Sequence, residues 1–358
     1  MFDYRKRIRS LRTVLEKNRC DAIITAFMPH LRYLTGFSGS NGLCIITRAK
    51  VFLLTDFRYK EQIRNEVACS RSFITSGELI EKAAEEDLLG GCKRVGVEKD
   101  HLSLAHYSEL RKKFRSVRFI PTSELVEQLA SRKTEDEISL ITKAVAITDA
   151  VFGEIVNVLK AGVSELDISA EISYLHKKHG AEKDSFEPIV VSGVRGSLPH
   201  GRPSSKKIKD GELVTLDLGC FYNGYCSDLT RTVAVGKPSG EARKVYKIVL
   251  EAQRKAIDFA QSGIEAKSLD RVARSDIHAN GYGKYFGHGL GHGIGLQIHE
   301  FPRVSARSTH TLRSGNVITV EPGIYLPGRL GVRIEDDIVI RDAECEVLTK
   351  APKSLIIV

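Results

Sequence analysis

Leu213-Val214-Thr215-Leu216-Asp217-Leu218-Gly219, running to Asn223-Gly224-Tyr225-Cys226-Ser227-Asp228, is two apolar strands joined at a turn, with an acid set into each arm. Asn-Gly between strand-like runs is a strong short-range signal for a type I′ hairpin. Pairing Tyr222 with Tyr225 puts Asp217 opposite Thr230, two residues from Asp228. Side chains repeat with period two, so Asp217 and Asp228 share a face as diagonal neighbours, about 7–8 Å apart at Cα. Two carboxylates at that separation can converge on a pair of metal ions about 3.5–4 Å apart.

A second stretch is built alike. Val317-Ile318-Thr319-Val320-Glu321-Pro322-Gly323 precedes a turn at Pro327-Gly328, and Gly331-Val332-Arg333-Ile334-Glu335-Asp336 returns. An unpaired carboxylate in a core strand is costly, so all four acids need partners. Arg231 and Arg333 are near enough in sequence for salt bridges, which would explain any one acid but not four at matching places. Between the hairpins lies Gly287-His288-Gly289-Leu290-Gly291-His292-Gly293-Ile294-Gly295, followed by His299. Three histidines wrapped in glycine suit close approach to a ligand and metal donation by neutral imidazole. The spacing fits neither GxGxxG nor GxxxxGK[ST] phosphate loops. HExxH and GxSxG are also absent. An oxygen-rich set with one imidazole favours manganese or another first-row divalent ion over structural zinc.

Around these elements the 358 residues divide in two. Residues 1–130 alternate helical segments with strands at Ala22–Ile24, 43–46, 51–54, 94–97 and 117–120, which predicts an α/β domain. Thr134-Glu135-Asp136-Glu137 is a capping box that opens a long amphipathic helix stopped near Gly162. Further helices over 165–179, 241–261 and 267–279, with strands over 186–192, 213–222, 225–235, 317–326 and 332–340, predict an α+β domain over 131–358. Seven scattered cysteines without a CxxC pair argue against a disulfide framework. With no apolar run long enough to span a bilayer and no secretory h-region, a soluble cytoplasmic protein is expected. The net charge of +9 raises a polyanionic partner. The excess is uneven: residues 1–132 carry 24 Lys and Arg against 16 Asp and Glu, the remainder 30 against 29. It belongs to the part without the acid hairpins, so neither nucleic acid nor membrane is expected as a partner.

The ordered set Asp217, Asp228, His292, Glu321 and Glu335 resembles the metallopeptidases of the pita-bread fold, which include methionine aminopeptidase, prolidase and aminopeptidase P. The likeness covers 131–358. Residues 1–130 resemble the creatinase/prolidase N-terminal domain, through Tyr33-Leu34-Thr35-Gly36-Phe37-Ser38-Gly39-Ser40-Asn41-Gly42 and Leu54-Thr55-Asp56-Phe57-Arg58-Tyr59. The resemblance implies that those five residues hold two divalent metal ions per subunit, manganese first, cobalt or zinc as alternatives. Asp228 and Glu335 would bridge. The family's metal-ligating histidine stands seven residues before a second, which selects His292 before His299. The resemblance further implies active-site roles for His200, His288 and His299, with His200 and His299 against the substrate and His299 facing the developing oxyanion. Glu321 would shuttle a proton in a hydrolysis whose attacking water is activated by the metals. Arg333, two residues before Glu335, is expected to orient a ligand carboxylate.

These features imply an Xaa-Pro peptidase acting on peptides with proline at the second position, and the two-domain group implies a homodimer. The N-terminal run favours aminopeptidase P. The alternative is the dipeptidase, prolidase, because Glu300-Phe301-Pro302-Arg303 resembles a run whose arginine reads a dipeptide's free carboxylate. A pita-bread chain that only binds protein or nucleic acid is the reading from another class. The basic runs Arg5–Arg12 and Arg111–Arg115 would serve it, but such runs are usually solvated helix faces, and all five ligands are present.

Overall fold

The computed structural model describes residues 2–358. It forms two compact units that meet in sequence between Ala130 and Ser131.

The first unit holds strands β1 (Ala22–Thr25), β2 (Leu43–Thr47), β3 (Val51–Asp56), β4 (Arg71–Thr75), β5 (Arg94–Glu98) and β6 (Arg118–Thr122) in one sheet of order β4-β3-β2-β1-β5-β6. The β1-β2 and β2-β3 pairs are antiparallel and the others parallel. Helices α1 (Tyr4–Lys17), α2 (Met28–Thr35), α3 (Lys60–Glu66), α4 (Leu79–Glu85), α5 (Leu104–Lys113) and α6 (Glu127–Ala130) complete it. Strands β1 and β2 are buried along nearly their whole length, as expected for a sheet covered on both faces. This is the α/β architecture expected from the alternating pattern.

The second unit opens with α7 (Glu135–Val158) and α8 (Glu165–Lys178). The predicted capping box is present: Glu137 N–H donates to Thr134 Oγ1, and Thr134 N–H to Glu137 Oε2 at 2.9 Å. Strands β7 (Lys183–Asp184), β8 (Ile189–Ser192), β9 (Leu213–Leu218), β10 (Cys220–Tyr222), β11 (Tyr225–Cys226) and β12 (Leu229–Ala234) follow. After α9 (Gly240–Phe259) and α10 (Ala266–Ala279) come β13 (Gly291–Gly293), β14 (Glu300–Val304), β15 (Val317–Val320), β16 (Gly323–Leu326), β17 (Leu330–Arg333), β18 (Asp336–Ile340) and β19 (Cys345–Val347).

Each acid-bearing hairpin has its own helix pair. Phe152, Ile155, Ile168 and Ile172 of α7 and α8 pack with Val190, Val214, Leu216 and Val233 of β8, β9 and β12. Val245, Val249, Leu269 and Ile277 of α9 and α10 pack with Ile318, Val320, Val332 and Ile338. One face of each hairpin is therefore sealed by helix, leaving the other for the acids.

The structure departs from the predicted strands in two ways: it adds β4, β7, β13, β14 and β19, and it interrupts the four long arms. Where the sequence reads as four continuous arms, 213–222, 225–235, 317–326 and 332–340, each arm is broken in two. The first hairpin keeps a single register across its break, with Tyr222 paired to Tyr225 and Asp217 to Thr230. So does the second, from Gly323↔Arg333 to Val320↔Asp336. Gly219 sits at the first break because a Cβ there would collide with the carbonyl oxygen of Ser227. Alternating burial alone carries no trace of such a contact.

All seven cysteines are free, and among the described residues no helix is long and apolar enough to cross a membrane. Phe152 is 1% exposed in the first of the two cores. Phe152→Ala should cost about 3–5 kcal/mol, read as an earlier denaturant midpoint for the 131–358 unit.

Candidate metal centre and active site

The breaks are where the acids sit. Asp217 is the penultimate residue of β9, Asp228 lies between β11 and β12, Glu321 between β15 and β16, and Glu335 between β17 and β18. His292 is central in β13, between β14 and β15. Glycines flank it because β13 is squeezed: a Cβ at Gly291 would strike the Thr319 carbonyl. All five line one cavity of about 470 Å³. The predicted constellation is therefore brought together. Asp228, His292 and Glu335 each offer a donor atom within 4.8 Å of one another.

The two hairpins are stitched at this point. Glu335 N–H donates to the Thr230 carbonyl at 3.1 Å, and Asp228 N–H to Asp337 Oδ2 at 2.9 Å. Arg333, 4% exposed, is the chief cation among them. Its Nη2 donates to Asp217 Oδ2 at 2.5 Å, its Nε to Thr230 Oγ1 at 3.0 Å and its Nη1 to the Tyr325 hydroxyl at 2.8 Å. Thr230 Oγ1 in turn donates to Glu335 Oε2 at 2.6 Å. Arg333 thus reaches Asp217 directly and Glu335 through Thr230. Arg231, the other candidate salt-bridge partner, instead binds Asp336 at 2.7 Å.

One arginine does not balance the group. Burial, then the charges of Glu335 and Asp217, push the Asp228 carboxyl far above its ordinary range. Burial, then Glu321 and Asp217, do the same to Glu335. Burial raises Glu321 to about 8. Asp217 Oδ1 and Glu335 Oε1 are buried without a hydrogen-bond partner among the described residues.

The histidines divide by role. His292 Nδ1–H donates to the Gly293 carbonyl at 3.2 Å, which leaves the Nε2 lone pair facing Asp228 at 3.6 Å and Glu321 at 3.4 Å. Burial, then His299, lower its pKa to about 3, so the ring is neutral, the form that ligates. His288 lines the cavity, yet both ring nitrogens are engaged, Nδ1 with the Gly289 carbonyl at 2.7 Å and Nε2 with Tyr325 at 2.9 Å. Arg333 donates to the same hydroxyl, so the Tyr325 proton points to His288. His200 and His299 stand exposed at the cavity wall. Partial burial, then His200 and Arg303, lower the His299 pKa. Arg303 itself is exposed on β14 and is not among the lining residues.

Sequence reasoning missed Glu165. Fully buried on α8, it accepts from Ser192 N–H at 2.8 Å, Arg195 Nε at 3.0 Å and Ser204 Oγ at 2.7 Å, pinning both ends of the loop that presents Pro199 and His200. Its spacing as a helical acid looked ordinary. The roles of Thr230 and Tyr325 were missed because Glu335 and His288, to which they bind, stand 105 and 37 residues away.

Comparison with known proteins decides the family. Residues 139–342 match metallopeptidase family M24, and residues 7–130 match the creatinase/prolidase N-terminal domain. The chain belongs to metallopeptidase family M24. It is 40% identical to an Xaa-Pro dipeptidase of Pyrococcus horikoshii over 98% of this chain and 99% of that one. Among solved structures, an Xaa-Pro dipeptidase from Bacillus anthracis superposes with a TM-score of 0.97 at 42% identity, covering 99% of this chain and 100% of that one. An X-Pro aminopeptidase from Thermotoga maritima gives 0.91 at 38% identity, with 98% and 100% covered. The pita-bread fold and the two-domain organisation of the M24 peptidases are therefore this chain's own.

Membership of M24 implies divalent metals, and the side chains fit them. Converging carboxylates, two of them with an unpartnered buried oxygen, and a neutral imidazole aimed at the same space form a donor set for hard or borderline dications. Bound cations would reverse the upward pKa shifts. Asp228→Ala should remove metal, read by elemental analysis of the purified protein, and abolish peptidase activity. Glu165→Gln should leave metal content unchanged and lower kcat/KM by up to about a hundredfold through misplacement of the His200 loop; equal loss of metal would assign Glu165 to the fold alone.

Proposed function

We propose that this M24 peptidase is an Xaa-Pro dipeptidase, hydrolysing the bond before proline in a dipeptide with the help of two divalent ions, manganese by preference. The observation that carries this reading is the full-length likeness to Xaa-Pro dipeptidases, joined to a cavity in which all five expected ligands meet. It reverses the order of preference drawn from the N-terminal run, which favoured aminopeptidase P. That run was a weak discriminator, because both kinds of relative match the chain from end to end.

Asp217, Asp228, His292, Glu321 and Glu335 would hold the ions. Ions there would supply Lewis-acid polarisation of the scissile carbonyl and a lower pKa for the attacking water. The protein supplies the rest. An Xaa-Pro bond has no N–H and a fixed φ, so recognition rests on shape; Phe186, Ile189 and Ile298 give the cavity apolar walls for a side chain and a proline ring. His200 and His299, exposed at that wall, place donors against the carbonyl, where His299 stabilises the oxyanion. Glu321 takes the proton of the attacking water and returns it to the departing proline nitrogen. His288, held by Tyr325 and Gly289, serves as a rigid wall that positions its neighbours. Arg303, close enough to influence His299, is the residue placed to meet a free carboxylate at the cavity's edge.

The second reading, aminopeptidase P, keeps the Tyr33–Gly42 run and the likeness to the Thermotoga enzyme in its favour. One assay separates the two. Manganese-reconstituted protein is offered an Xaa-Pro dipeptide and an Xaa-Pro-Yaa tripeptide side by side. The dipeptide should be cleaved at the higher kcat/KM. Cleavage of the tripeptide with the dipeptide spared would make the protein an aminopeptidase, and cleavage of neither would remove both readings.

A further inference from the structure

The first unit contains a second convergence of donors, built from residues with no sequence motif in common. His30 lies on α2, Glu98 ends β5, His101 follows in the next turn, and Glu127 opens α6. His30, His101 and Glu127 each offer one atom, and the three atoms lie within 4.8 Å of one another. Glu127 Oε1 is 3.3 Å from His101 Nε2 and 3.9 Å from His30 Nε2.

Hydrogen bonding accounts for only part of this arrangement: His101 Nε2 and Glu127 Oε1 are within hydrogen-bond distance at 3.3 Å. His30 Nδ1 is 2.5 Å from Glu98 Oε1, with the His30 ring 3% exposed and Glu98 also buried. A proton on Nδ1 shared with Glu98 leaves Nε2 as the ring atom that faces the other donors. Nε2 faces Glu127 Oε1 at a distance too long for a hydrogen bond. A proton on His101 Nε2 satisfies one contact; a cation at the centre would engage all three atoms together. A histidine whose far nitrogen donates to a carboxylate is the arrangement that orients imidazole toward metal. Phe27 fixes both rings, stacked on His101 at 3.7 Å and 2° and edge-on to His30 at 4.9 Å and 89°.

We propose that His30, His101 and Glu127 form a zinc-class divalent cation site in the first unit, separate from the M24 centre, with Glu98 as the positioning residue for His30. Two imidazoles and a carboxylate suit zinc or a similar borderline ion. Tetrahedral coordination at about 2.0–2.2 Å sets donors about 3.3 Å apart. The His101–Glu127 pair already has that spacing, and both side chains, 23% and 16% exposed, are partly open to solvent. The fourth position is left to water or an exogenous ligand. The ion would clamp α2, the turn after β5 and α6 to one another.

The test uses full-length protein and zinc alone. Wild type and His101→Ala are each stripped by chelation, titrated with zinc chloride, desalted and analysed for zinc per chain. The variant should hold one equivalent fewer, a difference that does not depend on how many ions the other unit takes. Far-UV circular dichroism and peptidase activity should be unchanged, because His101 is remote from the M24 donors in sequence and unit. Glu127→Gln, which keeps shape and removes charge, should repeat the loss, and Glu98→Gln should weaken zinc at this site by about 10–100-fold. Equal zinc in wild type, His101→Ala and Glu127→Gln would overturn the proposal, as would a loss seen only in a variant whose circular dichroism has changed.

Discussion

Four carboxylates must be held around one cavity, and most of the second unit follows from that requirement. Desolvation costs several kcal/mol per ion before mutual repulsion is counted. The protein meets part of that cost itself. Arg333 spans Asp217, Thr230 and Tyr325, and Thr230 passes the constraint to Glu335. What remains is electrostatically incomplete, as the orphaned oxygens of Asp217 and Glu335 show. A site of this kind couples metal affinity to folding, because each ion relieves a penalty that the folded backbone imposes.

How much of this could be read from the sequence follows from the range of the interactions. The Asn223-Gly224 turn sets a register that propagates along its own arms, so the pairing of Asp217 with Thr230, thirteen residues apart, was legible from the turn alone. The capping box at Thr134 is equally local. The breaks in the four arms were not legible, since they arise where strands approach too closely for a side chain, at Gly219 against Ser227 and Gly291 against Thr319. Glu165, Thr230 and Tyr325 draw their importance from partners recruited by tertiary packing, and nothing adjacent to them in the chain marks them out.

Specificity was the least legible property. Asp217, Asp228, His292, Glu321 and Glu335, the set expected to hold metal, bear on the reaction without choosing the peptide. Under the proposed function that choice would fall to His200 and His299 at the cavity wall and to Arg303 beyond it, all exposed and differently held. Glu165 anchors the loop of the first through five donor atoms, whereas Arg303 projects from an edge strand, β14.

The interrupted hairpins have a bearing on how the chain tolerates change in length. Because register persists across each break, the acids inherit their facing from the phase of the ladder and not from side-chain flexibility. A single residue inserted or deleted between a turn and its acid would swing that carboxylate toward the helix-covered face. Loops away from the hairpins can lengthen at little cost. The few residues between each turn and its carboxylate cannot, and their number is as much a part of the active site as the carboxylates themselves.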